Sequence, residues 1–401
     1  MVNLLFIEGL PLDFFNPRSV VAFIGILQGV IFALLLFWRS ATKKNQADFW
    51  LGLLLLLLCS SLITPFIGFA NVYDRNQWLT YFPFEIAYSY GVCIWFYVLS
   101  LTDSKYSFRQ RILLLFVPSI IYLLFRLVLF AQNLAFKDWF DKNYYAPVFN
   151  PFIFLTEFVW NISFLYFSIK HYRKYRLWLD ENYSDTEKIK FDWLRNFLYV
   201  FTFVFALKGI FDFTTIFLFK LSYIQYFYFE FVLALVTYYL ALSGYLRSQP
   251  IEISFAPQLI QIIPEKSEER KTLLSARELE KLKKHLEIVM QSEKPFLNSQ
   301  LSLTDLARIL GVNSAVLSYG INAGFAKNFN DFINEFRITE VKEKLRNGAA
   351  ADSTLLGVAF ECGFNSKATF NRAFKKFTGV SPKDFQENGA PQDKPKITTE
   401  N

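Results

Sequence analysis

Seven apolar stretches, each about 20 residues or longer, fill most of the chain before residue 250 and limit the folds open to it. That is the length an α-helix needs to cross a hydrocarbon core of about 30 Å. Seven in succession leave no polar surface for water. They fall at about 19–38, 49–70, 78–101, 112–131, 148–169, 194–219 and 222–246. The second, with Leu51 and the leucine run 53–58, is the plainest, whereas the third, fifth and sixth carry internal charges. Trp38, Trp50, Trp78, Tyr81 and Tyr245 stand at stretch ends, where amphipathic rings meet a membrane interface. The apolar share of 53% and the charged share of 19% fit this reading, the latter below the roughly 25% of globular chains. The first 18 residues hold Glu8 and Asp13 in place of a basic leader, so the first stretch reads as an anchor that is retained.

Lysine and arginine set the expected orientation. Arg39, Lys43, Lys44, Lys105, Arg109, Arg111, Lys170, Arg173, Lys174, Arg176, Lys188, Lys190 and Arg247 fall on one side, thirteen in all. The other side has five: Arg18, Arg75, Lys137, Lys142 and Lys220. The richer side is cytoplasmic by this rule, with the N-terminus outside and the C-terminus inside. An odd number of spans demands the same arrangement. The expected location is a bacterial inner membrane.

Six ionisable residues interrupt the apolar stretches: Glu85, Arg126, Glu157, Lys208, Asp212 and Glu230. A charge at the centre of a membrane helix costs at least about 2.5–3.5 kcal/mol, so these groups face one another or a wet cavity. All six fall near the midplane or in the outer half, with Gln28 and Asn161 at comparable depth. Two readings stand. They line a pocket open to the outside that takes a small-molecule ligand, or they are interhelical ion pairs such as Lys208 with Asp212. Four acidic groups against two basic ones favour a cationic or amine-bearing ligand.

Cys59, Cys93 and Cys362 lack the spacing of a metal site or a disulfide framework. His171 and His285 stand far apart with no carboxylate or cysteine cluster around them. No metal, cofactor or catalytic triad is expected, and the chain does not read as an enzyme.

After Leu246 the character changes. Residues 248–275 are polar, with Pro250, Pro257 and Pro264, and read as a cytoplasmic linker. From Ser275 the period is that of a soluble amphipathic helix, with Leu279, Leu282, Leu286 and Val289 on one face. A helix-turn-helix pattern follows: a first helix from about Ser302, a stop at Gly311, and a second helix capped by Asn313. A longer helix spans about Phe329 to Arg346, with Phe332, Ile333, Phe336, Val341 and Leu345 inward. The pattern then repeats: a helix from Thr354 to Cys362, a turn at Gly363 and Phe364, and a helix from Ser366 to Phe377. Residues 387–401 read as a disordered tail.

Residues 276–386 resemble the DNA-binding domain of the AraC/XylS family, two helix-turn-helix units joined by one long helix. The resemblance is carried by Leu303, Leu306 and Ala307, by Phe332, Ile333, Asn334, Arg337 and Ile338, and by Ala359, Gly363, Phe364 and Ser366. It continues through Thr369, Phe370, Arg372, Phe374, Lys375 and Lys376 to Gly379, Val380, Ser381 and Pro382. The layout as a whole is similar to membrane-anchored AraC-type regulators of Bacteroidetes-type bacteria. The fold class is therefore expected to be all-α: a seven-helix transmembrane bundle over 1–247 and a cytoplasmic double helix-turn-helix domain.

The resemblance implies that 314–322 and 366–376 enter successive major grooves of double-stranded DNA. In the second helix Lys367, Asn371 and Arg372 suit base edges, Lys375 and Lys376 suit phosphates, and Ser366 is a further DNA-binding residue. The corresponding residues of the first helix, Ser314, Ala315, Ser318, Tyr319 and Asn322, include no lysine or arginine. Gly320 weakens that helix by up to about 1 kcal/mol. Sixteen basic against twelve acidic residues over 276–386 make the domain only modestly basic, so tight binding calls for a homodimer or tandem sites. RNA polymerase is a further partner of such a layout. A transporter with a regulatory tail and a protein-docking C-terminal module are the rival readings.

Overall fold

A computed structural model describes residues 16–103, 110–187, 189–247, 274–347 and 354–388. The tail from 389 and nearly all of the expected linker, 248–273, lie outside the described residues, as do Glu8, Asp13, Lys105, Arg109 and Lys188. No strand occurs among the described residues; one isolated antiparallel bridge pairs Tyr183 with Ser302. The chain divides into two compact units, Met1–Arg173 with Asp192–Phe255, and Lys174–Phe191 with Ala256–Asn401.

The first unit contains α1 (Pro17–Lys43), α2 (Gln46–Phe69), α3 (Val72–Arg75), α4 (Tyr90–Thr102), α5 (Val117–Phe130) and α6 (Leu134–Phe140). It continues with α7 (Asn150–Asn182), α8 (Asp192–Phe213) and α9 (Tyr223–Arg247), the last residues of α7 belonging to the second unit. Among the described residues, six helical segments are long and apolar enough to cross a membrane: Pro17–Lys43, Gln46–Phe69, Leu113–Phe130, Leu134–Asn182, Asp192–Leu218 and Tyr223–Leu246. The remaining stretch, expected as a helix over 78–101, differs. Its helix begins only at Tyr90, and 13 residues rise about 20 Å at 1.5 Å each, short of a hydrocarbon core. Tyr81 and Tyr88 take left-handed backbone conformations (φ 70° and 66°), and Pro83 between them has no N–H to give a helix. What remains, α4, is a central helix: Val92, Cys93, Ile94, Tyr97 and Val98 are all fully buried.

Packing in this unit inverts the soluble pattern. Along α1 the buried residues are Ser19, Ala22, Gly25, Gly29, Ala33 and Leu36, while Phe23, Ile24, Leu27, Ile31 and Leu34 point outward. Small residues at three- and four-residue steps let helices approach closely where lipid removes the hydrophobic drive for association. A methyl on Gly29 would lie 2.4 Å from Cys59 Sγ of α2 and 3.1 Å from Thr237 Cγ2 of α9. At one end Arg39 clamps the three helices. Its Nε and Nη2 donate to Asp48 at 2.6 Å each, and Nη1 donates to the Tyr245 carbonyl at 2.6 Å. Asp48 is fully buried, a setting in which a charge must be paired.

The second unit contains α10 (Ala276–Ser292), α11 (Leu303–Leu310), α12 (Ser314–Phe325), α13 (Phe329–Arg346), α14 (Leu355–Glu361), α15 (Lys367–Thr378) and α16 (Pro382–Asn388). Its boundaries follow local chemistry. Ser275 with Glu278 and Ser302 with Asp305 form capping boxes on α10 and α11. Gly311 ends α11 in a left-handed conformation, and Asn313, Thr354 and Ser366 cap α12, α14 and α15. Two cores form, one under α10 to α12 and one under α14 to α16. Helix α13 joins them, giving Phe329, Phe332 and Ile333 to the first and Ile338 and Val341 to the second.

Candidate nucleic-acid interface and charged cavity

The two helix-turn-helix units present α12 and α15 as their second helices. On α15, Phe370, Ala373 and Phe374 face the core, so the 3.6-residue period turns Lys367, Asn371, Arg372, Lys375 and Lys376 outward, where all five are exposed. One of them is engaged within the unit: Lys376 Nζ pairs with Asp331 of α13 at 2.6 Å. On α12, Leu317, Gly320 and Ile321 are buried. Ser314, Ala315, Ser318, Tyr319 and Asn322 share the half-exposed face. Gly320 is a packing residue, since a methyl there would lie 2.5 Å from Leu282 Cδ2 of α10.

Sequence reasoning missed what lies against these faces. The end of α7 and the loop after it, Lys174–Phe191, pack inside the second unit. Glu181 Oε2 accepts a hydrogen bond from Asn322 Nδ2 at 3.1 Å and its carboxylate is also bonded by Ser318. Glu187 Oε2 accepts from Ser366 Oγ at 2.8 Å and from Thr369 Oγ1 at 2.5 Å. Burial would raise the Glu187 pKa, but the bonds from Thr369 and Ser366 and the charges of Arg372 and Lys190 outweigh it. The net effect holds this carboxyl below its usual range.

A buried polar network fixes the segment. Asn330 Nδ2 donates to the carbonyls of Ser184 (2.9 Å) and Tyr183 (3.1 Å), and the Ser184 amide donates to the Leu301 carbonyl. Arg337, fully buried, donates to the carbonyls of Phe296 (2.7 Å) and Asn298 (2.8 Å) and to Ser184 Oγ (3.0 Å). Burial pushes its guanidinium down to about 10. The legible signal was a polar row, Asn330, Asn334 and Arg337, on the inward face of a core helix.

In the first unit, Glu85, Arg126, Glu157, Lys208, Asp212 and Glu230 all line one cavity of about 430 Å³. Lys208 Nζ lies 2.8 Å from Asp212 Oδ2 and 3.9 Å from Glu85 Oε1, and Tyr226 donates to Asp212. Arg126 lies over the Tyr81 ring, 4.9 Å from its centroid, and donates to the Tyr145 hydroxyl. Asn161 joins the wall, accepting from the Gly91 amide at 2.9 Å. Glu230 Oε2 is buried without a hydrogen-bond partner. Gln28 is not part of this wall; its Nε2 returns to the Gly25 carbonyl of its own helix. The structure thus contains both the expected Lys208–Asp212 pair and a cavity around it.

A family described as "Helix-turn-helix domain" matches residues 306–388. An uncharacterized HTH-type transcriptional regulator of Staphylococcus aureus (strain COL) is 26% identical over 153 residues, 38% of this chain and 18% of the relative. A probable transcription factor, PqrA of Proteus vulgaris, is 35% identical over 63 residues, 16% of this chain and 49% of the relative. The chain therefore spans less than a fifth of the length of the staphylococcal relative it matches. No solved structure matches the chain. The C-terminal part of this chain is an AraC-type helix-turn-helix domain, joined to a set of helices long and apolar enough to span a membrane.

Proposed function

We propose that the chain is a membrane-embedded one-component transcription regulator, which senses a cue from outside or within the membrane and binds promoter DNA from the cytoplasmic side. It acts by binding, not by catalysis. The observation that carries this reading is α15: Lys367, Asn371, Arg372 and Lys375 are exposed together on one face of the second helix of a helix-turn-helix. That is the composition a major-groove reader needs for bases and phosphates. Helix α12 contributes a less charged surface, so affinity would come from a homodimer on paired half-sites. An N-terminus outside and a C-terminus inside, supported by the thirteen-to-five bias in basic residues, requires seven crossings, with 78–101 crossing as α4 together with the non-helical residues before Tyr90. RNA polymerase would be the partner through which bound protein changes transcription.

The cavity is the proposed sensory site. Four carboxylates face two cations in its wall, and Tyr73, Tyr90, Tyr122 and Tyr223 add aromatic faces. An organic cation with an apolar body suits both, through charge and cation–π contact.

The test is crosslinking and sequencing of DNA bound to the intact protein in its host, beside the Lys367→Ala, Arg372→Ala variant. Enrichment at a few promoters should fall at least tenfold in the variant, since each base contact contributes about 1–3 kcal/mol. No enrichment by the unaltered protein under any growth condition refutes the reading.

A further inference from the structure

Resting on the DNA-binding reading, we infer that residues 174–191 form an autoinhibitory strap whose carboxylates occupy the DNA-reading surfaces of both helix-turn-helix units at once. Glu181 holds Ser318 and Asn322 on the outward face of α12. Glu187 holds Ser366 and Thr369 at the N-terminus of α15, with Arg372 close enough to stabilise its charge. A helix N-terminus flanked by hydroxyls is where a protein takes up a DNA phosphate, because its free amides and its dipole favour an anion. Glu187 puts a carboxylate of the same chain there.

The charge pattern fits that role. Residues 180–187 hold Asp180, Glu181, Asp185 and Glu187 and no lysine or arginine, an acidic stretch set against a basic reading helix. The strap is also built in. Tyr175 donates to the Ile189 carbonyl at 2.8 Å across the loop. Ser184 accepts from Asn330 and Arg337, and its amide donates to the Leu301 carbonyl. Ser318, Asn322 and Ser366, three of the residues a duplex would contact, are already bonded to the two glutamates, so full engagement of DNA requires the strap to leave. The strap is the end of a helix from the apolar unit, which makes its release the step a cue would control.

The experiment compares full-length protein in detergent with the Glu181→Gln, Glu187→Gln variant, reading retention of a randomised 40-base-pair duplex pool at fixed salt. If the strap holds nine molecules in ten closed, opening it raises apparent affinity about tenfold, and that increase is the expected result. A second protein, Ser184→Cys with Asn330→Cys, locks the strap shut on oxidation. It should lose duplex binding when oxidised and regain it with reductant. Equal retention by the unaltered and glutamine proteins, or full binding by the oxidised lock, overturns the strap while leaving the DNA-binding reading intact. Retention by neither protein in any redox state overturns that reading and the strap with it.

Discussion

Arg337 shows how one side chain can hold a domain together. It is fully buried on α13 and donates to two carbonyls before α11, those of Phe296 and Asn298, and to Ser184. The Asn298 carbonyl also accepts from the Leu301 amide, but the Phe296 carbonyl and the Ser184 hydroxyl would lose a buried partner, which costs about 1–3 kcal/mol each. Arg337→Ala should therefore lower the amide-exchange protection of α13 by roughly 3–5 kcal/mol. Arg337→Lys should recover little of it, because a compact ammonium cannot reach the separate acceptors that the planar guanidinium fork spans. Hydrogen exchange measured by mass spectrometry on the full chain reads both. Unchanged protection in the alanine protein would mean that water replaces the guanidinium and that the residue is not a keystone.

At the scale of the element, the C-terminal domain was largely legible. Caps and stops are short-range chemistry: Ser302, Gly311, Asn313 and Ser366 each act on neighbours within a few residues. The membrane helices were legible by length, except where backbone conformation mattered. Nothing in the hydropathy of 78–101 reveals the left-handed Tyr81 and Tyr88 that delay α4. Nor does local sequence disclose that Gly320 faces Leu282, a contact between helices far apart in the chain. The turn of the second unit carries the clearest consequence. Gly363 sits at φ 89°, and a methyl on it would lie 2.3 Å from the Phe296 carbonyl and 2.9 Å from that of Leu297. Both atoms are backbone and cannot swing away, and the conformation is itself strained for any other residue. Gly363→Ala should destabilise the second core by more than about 2 kcal/mol, seen as early exchange of α14 and α15. Protection equal to that of the unaltered chain would show that the turn can relax.

For the whole molecule, the six charges within the apolar stretches were legible as a set because each would be costly alone in a membrane, and the structure gathers them around one cavity. The strap was not legible, because the four basic and four acidic residues of Lys174–Phe191 name no partner until those in the second unit are seen. One helix nevertheless belongs to both stories. Helix α7 carries Glu157 and Asn161 in the cavity wall and Glu181 against α12, with no break from Asn150 to Asn182. An unbroken helix transmits a shift or rotation along its length, whereas glycines absorb it. Coupling between the two sites should then depend on that continuity. Glu157→Gln should change the output of a promoter reporter in the unaltered chain. The same substitution should change nothing once three glycines are inserted after Arg173, and the double-mutant comparison isolates that interaction. If Glu157→Gln acts equally in both backgrounds, the signal passes by the linker after α9, and α7 only anchors the strap.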